Sequence, residues 1–151
     1  MLCVQLTELP NKECEGKVKI DLFRQLYVNK QHFVAPNVTV IETLIMHVNE
    51  IIQKEERSQK HDQMLELVIV LYKQLLQIPE AESGTSLSGV GGKRNVQKSL
   101  LLAFKEHNVL DLLVFLSQDF SEENNLSSLC KKLAPHVLEM QYHIFKNFTP
   151  A

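Results

Sequence analysis

Gly89-Val90-Gly91-Gly92-Lys93 is the stretch of this chain that comes nearest to a device for holding phosphate. A phosphate-binding loop of the P-loop kind needs its first glycine five residues before the second, and Ser or Thr after the lysine. Those positions hold Leu87 and Arg94, and no strand pattern leads into them. The segment therefore reads as a flexible loop, with a regulated surface loop around its serines, Lys93 and Arg94 as the other reading. A second constellation is His136, Glu139 and His143, spaced i, i+3 and i+7 so that one helix face could carry all three. Three such ligands suffice for zinc, and the competing reading is an ordinary half-exposed helix surface. His107 with Asp111 reads as a cap on a turn between two helices. Glu55-Glu56 and Glu122-Glu123 read as solvated charges in turns. No Gly-x-Ser-x-Gly is present and no cysteine sits in a nucleophile signature. The residues support no catalytic site, no metal and no cofactor, and the expectation is a protein that is not an enzyme.

The composition narrows the class further. A chain of 151 residues fits one domain, which on folding can bury roughly 70% of the surface its unfolded form exposes. The 44% hydrophobic content supports a real core, and a net charge of −2 supplies no general attraction for nucleic acid. Cys3, Cys14 and Cys130 are odd in number and lack C-x-x-C spacing, which suits reduced thiols. Glycosylation-type tripeptides begin at Asn37, Asn125 and Asn147, but the start of the chain has no secretory pattern. Cys3 to Leu6 reads as the tail of an earlier helix and Thr149-Pro150-Ala151 as the start of a linker. The expectation is a single segment over 1–151, part of something larger.

The elements that must carry these residues are helical. Apolar residues at 18, 22, 26 and at 20, 23, 27 predict a helix from about Ile20 to Phe33, ended before Pro36. Val38, Ile41, Leu44, Ile45, Val48, Ile51 and Ile52 form an amphipathic stripe. His61 to Pro79 is apolar round nearly its whole circumference, interrupted by Glu66, Lys73, Gln74 and Gln77, with Asp62 as its expected N-cap. Such a helix must be buried between other elements, and its charges argue against a membrane span. A loop at about 80–94 follows. Val96 to Glu106 is the next helix, stopped at His107-Asn108 with Asn in the left-handed conformation. Val109 to Phe120 and about Leu126 to Phe145 complete the set, and Pro135 either kinks the last helix or starts a new one. The fold class is all-α. Broad apolar helix faces in antiparallel pairs suggest an armadillo or HEAT-like α-solenoid of stacked helices, although no fixed repeat period is present.

Several motifs in order resemble one family. LELVIVLYKQLLQIPE ends in Ile78-Pro79, and a variable segment follows. Then come KSLLLAFKEHN, the run Leu110-Asp111-Leu112-Leu113 through Ser117, and Val137-Leu138-Glu139-Met140 with Tyr142 to Lys146. This order is similar to the N-terminal region of the Timeless family, and Gln5-Leu6-Thr7 before Pro10 resembles the end of an earlier family helix. The resemblance covers almost the whole chain. At the middle of the long helix the family usually has Arg-Asn, where this chain has Lys73-Gln74, keeping the charge but not the two-pronged geometry.

The resemblance implies an armadillo-like solenoid acting as a non-enzymatic scaffold of the replication fork protection complex. It implies a nuclear protein with a Tipin-like subunit, neighbouring the replicative helicase and duplex DNA, supporting fork pausing, replication checkpoint signalling and cohesion. A circadian-clock paralogue shares that fold, and a generic armadillo or HEAT adaptor is a further alternative. Any DNA contact is expected on Lys93, Arg94 and Lys98, and no membrane association is expected.

Overall fold

A computed structural model describes residues 2–10, 16–80, 95–121 and 128–146. Among them it contains seven helices and no strand: α1 (Leu2–Leu6), α2 (Lys17–Phe33), α3 (Val40–Ile52), α4 (Gln59–Gln77), α5 (Val96–Glu106), α6 (Val109–Ser121) and α7 (Ser128–Phe145). The all-α class is as expected. The predicted loop at about 80–94 lies outside the described residues except for Glu80.

Helix α4 occupies the middle. It packs most extensively on α7 and also on α3 and α1. Leu65, Val68, Ile69, Leu71, Tyr72, Leu75 and Leu76 are all buried along it, around much of its circumference. Each buried side chain of this kind contributes about 1.5–3 kcal/mol, so α4 supplies a large share of the core. Tyr72 is wholly enclosed; its hydroxyl donates to the Ile41 carbonyl at 3.0 Å, and its ring tilts at 52° against Phe104 with centroids 5.1 Å apart. That single residue ties α3, α4 and α5 together.

The helix ends have local causes. Asp62 is not the N-cap of α4. Ser58 is, in extended conformation, its hydroxyl accepting from the His61 N–H while His61 Nδ1 accepts from the Ser58 N–H. A histidine can return the second bond of a capping box, so the helix begins at Gln59, three residues before Asp62, which falls inside its first turn. At the other end Ile78 leaves the helix at φ −64 and ψ 118, the extended geometry that a following proline requires. Asn108 is left-handed at φ 60 between α5 and α6, as its position predicts. Pro135 lies inside one continuous α7, so it starts no new helix. In α2 the spacing holds, yet Val18, Ile20 and Leu22 are exposed while Leu26 is buried. No helix among the described residues is long and apolar enough to cross a membrane.

Candidate functional site

Three polar arrangements are set into this apolar frame, and the first surrounds Ile78-Pro79. Lys30 lies on α2 four residues beyond Leu26, on the buried face, and its side chain is wholly enclosed. Its ammonium donates to the Ile78 carbonyl at 2.7 Å and to Gln97 Oε1 at 2.5 Å. Burial lowers its pKa from 10.5 to about 8; the Glu80 carboxylate opposes that fall, and the Lys146 ammonium adds to it. Glu80 itself accepts from the Gln97 N–H at the start of α5, and from the Tyr27 hydroxyl at 3.3 Å. The end of α4, the start of α5 and the side of α2 are thus clasped by one network. Ile78 is buried and Pro79 exposed, so the Ile-Pro step both stops α4 and aims a carbonyl at Lys30.

The second arrangement is a seam between α4 and α7. Lys73 Nζ lies 3.2 Å from Glu139 Oε2 and 3.2 Å from His136 Nδ1. Gln77 Nε2 donates to the same Glu139 oxygen at 3.2 Å. His143 Nδ1 lies 3.0 Å from Lys146 Nζ. Both histidines have lowered pKa values, first through burial, and next through Lys73 for His136 and Lys146 for His143. The seam therefore brings His136 and Glu139 together, but around an ammonium rather than an open ligand position. Among the described residues no group of three or more His, Cys, Asp or Glu side chains is arranged to hold a metal. Further round α4, the Thr7 hydroxyl donates to Gln74 Oε1 at 2.8 Å, joining it to the end of α1.

The third is the Leu110–Leu113 segment at the start of α6. Leu112 and Leu113 are core residues and Leu110 is half-buried against them, while Asp111 is exposed. Of the three cationic residues expected to meet DNA, Lys98 stands exposed in the first turn of α5, whose N-cap Asn95 accepts its backbone N–H at 2.7 Å. Lys93 and Arg94 lie outside the described residues.

A family model described as Timeless protein matches residues 4–151. The chain belongs to the Timeless family. No curated protein and no solved structure matches it. In this Timeless-family chain the motif residues Ile78, Pro79, Leu112 and Leu113 serve helix termination and core packing. Sequence reasoning missed Lys30, Glu80 and the Thr7–Gln74 pair. Lys30 left a trace: it continues the row Phe23, Leu26 and Phe33 at helical spacing, a charge on an otherwise inward face.

Proposed function

We propose that this chain is a non-enzymatic, nuclear scaffold segment of a replication fork protection complex, its helices stacked as an armadillo-like solenoid. The observation that carries this reading is the Timeless family match over residues 4–151. The polar chemistry is consistent with it. Lys30, Lys73, Gln74, Gln77 and Glu139 are engaged in joining helices to one another, and they do not converge on a cavity where a substrate could react. A scaffold needs such internal ties more than it needs a reactive group.

The implied partners are a Tipin-like subunit, the replicative helicase and duplex DNA. Affinity purification of the tagged protein from nuclear extract tests the protein partners. Helicase and Tipin-like subunits are expected to co-purify; their absence would overturn the reading, and clock proteins in their place would move the chain to the family's circadian branch. For DNA, the surface around Lys98, with Lys93 and Arg94, is the proposed contact. Replacing all three by glutamate is expected to weaken duplex binding and to flatten its dependence on salt, because each lost phosphate contact removes about one released counterion. An unchanged affinity and slope would remove DNA from this surface.

A further inference from the structure

Helix α7 is apolar on two sides, and the core covers one of them. Leu129, Leu133, Val137, Met140 and Ile144 are buried. Leu138, Tyr142 and Phe145 form a second row at i, i+4 and i+7, nearly opposite the first, and are 63%, 65% and 63% exposed. Pro135 extends this outer row by one turn and is exposed as well. A single apolar residue on a surface is ordinary, whereas a contiguous row of large ones marks an interaction surface. Within this chain α4 follows the same rule: a helix apolar on broad faces lies between other elements.

The outer row has a positive charge at each end. Lys131 lies in line with it on the amino side, and Lys146 follows its carboxyl end. Both are exposed, and neither forms an ion pair among the described residues. From position 131 to position 146 a helix rises about 22 Å. The other charges around α7 are engaged or face elsewhere. Glu139, beside the row, is held by Lys73 and Gln77 of α4. Lys132 lines a hollow with Asp62 and Glu66 at the start of α4, and Asp111 of α6 borders a different hollow over the end of α3. His143, beside Lys146, has its pKa lowered by burial and by that lysine, so it is neutral at pH 7. The dipole of α7 adds positive charge towards Lys131 and offsets part of Lys146, which leaves both ends positive.

We propose that the outer face of α7 docks an acidic amphipathic helix of a partner protein, with its apolar row laid on Leu138, Tyr142 and Phe145 and a carboxylate set against each of Lys131 and Lys146. A row that runs straight along one helix is matched by the i, i+3, i+4 and i+7 row of another, ridge into groove. The lysines decide whose helix it is. A second copy of this chain would set Lys131 on Lys131 in a parallel pair, or Lys131 on Lys146 in an antiparallel one, and like charges so placed oppose pairing. A helix with aspartate or glutamate at both ends of its apolar row answers both lysines at once. The inference goes beyond the family reading, and it holds for a partner from a replication fork or from a clock.

The test is selection on the full chain from a displayed library of helical peptides of about 20 residues, long enough to span both lysines. Peptides that also bind a Leu138→Ser/Phe145→Ser variant are discarded, and the rest are measured by fluorescence anisotropy. The selected peptides are expected to carry apolar residues at helical spacing with an acidic residue near each end. Tyr142→Ala is expected to weaken them at least about tenfold, as for loss of a buried aromatic anchor. Lys131→Gln with Lys146→Gln is expected to weaken them about fivefold at low salt and hardly at all at high salt. No selected binder, binders without an acidic preference, or an affinity unchanged in either variant would overturn the proposal. So would a dimer in sedimentation that the Leu138→Ser/Phe145→Ser variant loses, since that would give the face to a second copy. All of these substitutions are at exposed positions, and far-UV circular dichroism checks that each variant stays folded. Because the probe is a synthetic peptide, its failure leaves co-purification of fork proteins intact as the separate test of the family reading.

Discussion

Replacing Lys30 by methionine isolates the cost of enclosing one charge, because the two side chains have similar length and only one carries a proton. The Lys30 ammonium is wholly buried, and its pKa falls from 10.5 to about 8, chiefly through that burial. Below pH 8 the folded and unfolded chains both hold the proton, and folding bears the full cost of the buried charge. As pH rises through 8 the folded chain releases the proton while the unfolded chain keeps it until about 10.5. The unfolded state then binds more protons, so stability rises with pH across that window. The whole shift is worth on the order of 3 kcal/mol, of which about 2 kcal/mol falls between about pH 7.5 and about pH 9.5. Above that span Tyr27 and Tyr72, both with pKa values raised by burial, act in the opposite direction as the unfolded chain loses their protons first.

The assay is urea unfolding by far-UV circular dichroism at a series of pH values, on the wild type and on Lys30→Met. Groups common to both chains cancel in the difference. Wild-type stability is expected to gain about 2 kcal/mol on the variant between about pH 7.5 and about pH 9.5. A difference that stays flat would refute the reasoning: Lys30 would then keep an ordinary pKa, and water would reach its ammonium in the folded chain.

Two further outcomes follow from the helix contacts. A double-mutant cycle on Lys73→Met and Glu139→Gln is expected to give a coupling of about 0.5 kcal/mol that shrinks with added salt, since Glu139 is half exposed; zero coupling in thermal melts would sink the seam as an energetic link. Pro135→Ala is expected to raise stability by roughly 1–3 kcal/mol, because an N–H is returned opposite the Lys131 carbonyl within α7, and a lower melting temperature would show that the proline is needed where it stands.

Much of the fold was legible because its punctuation is local. Pro36, Ile78-Pro79 and Asn108 mark helix limits through backbone geometry that depends only on neighbouring residues, and the structure has them as read. The apolar girdle of α4 likewise announced a helix covered on several sides. The Ser58 cap was less legible, because it relies on His61 as the returning acceptor where glutamate or glutamine is the usual signal. Lys30 was missed for another reason. Periodicity identifies which face a residue occupies but not what lies opposite, and its partners at Ile78 and Gln97 are 48 and 67 positions away. The same distance hid Thr7–Gln74, separated by 67 positions. The spacing of His136, Glu139 and His143 left open a ligand face or an ordinary half-exposed surface, and could not show that Lys73 arrives from α4 beside His136 and Glu139.

The polar residues of α4 also explain what the Lys73-Gln74 step does here. A helix buried by apolar contacts alone could slide by a turn with modest loss, whereas polar pairs between helices are satisfied in one register only. Lys73 and Gln77 fix α4 against α7 through Glu139, and Gln74 fixes it against Thr7. Glu139 receives both Lys73 and Gln77 on the same oxygen, Oε2. An arginine fork would call on both carboxylate oxygens in one plane, an arrangement in which Gln77 competes for one of them. A point charge on a flexible stem meets the single shared oxygen without that conflict. The departure from the Arg-Asn pair that the resemblance implies is therefore compatible with the packing of this chain, in which a single shared carboxylate oxygen meets Lys73.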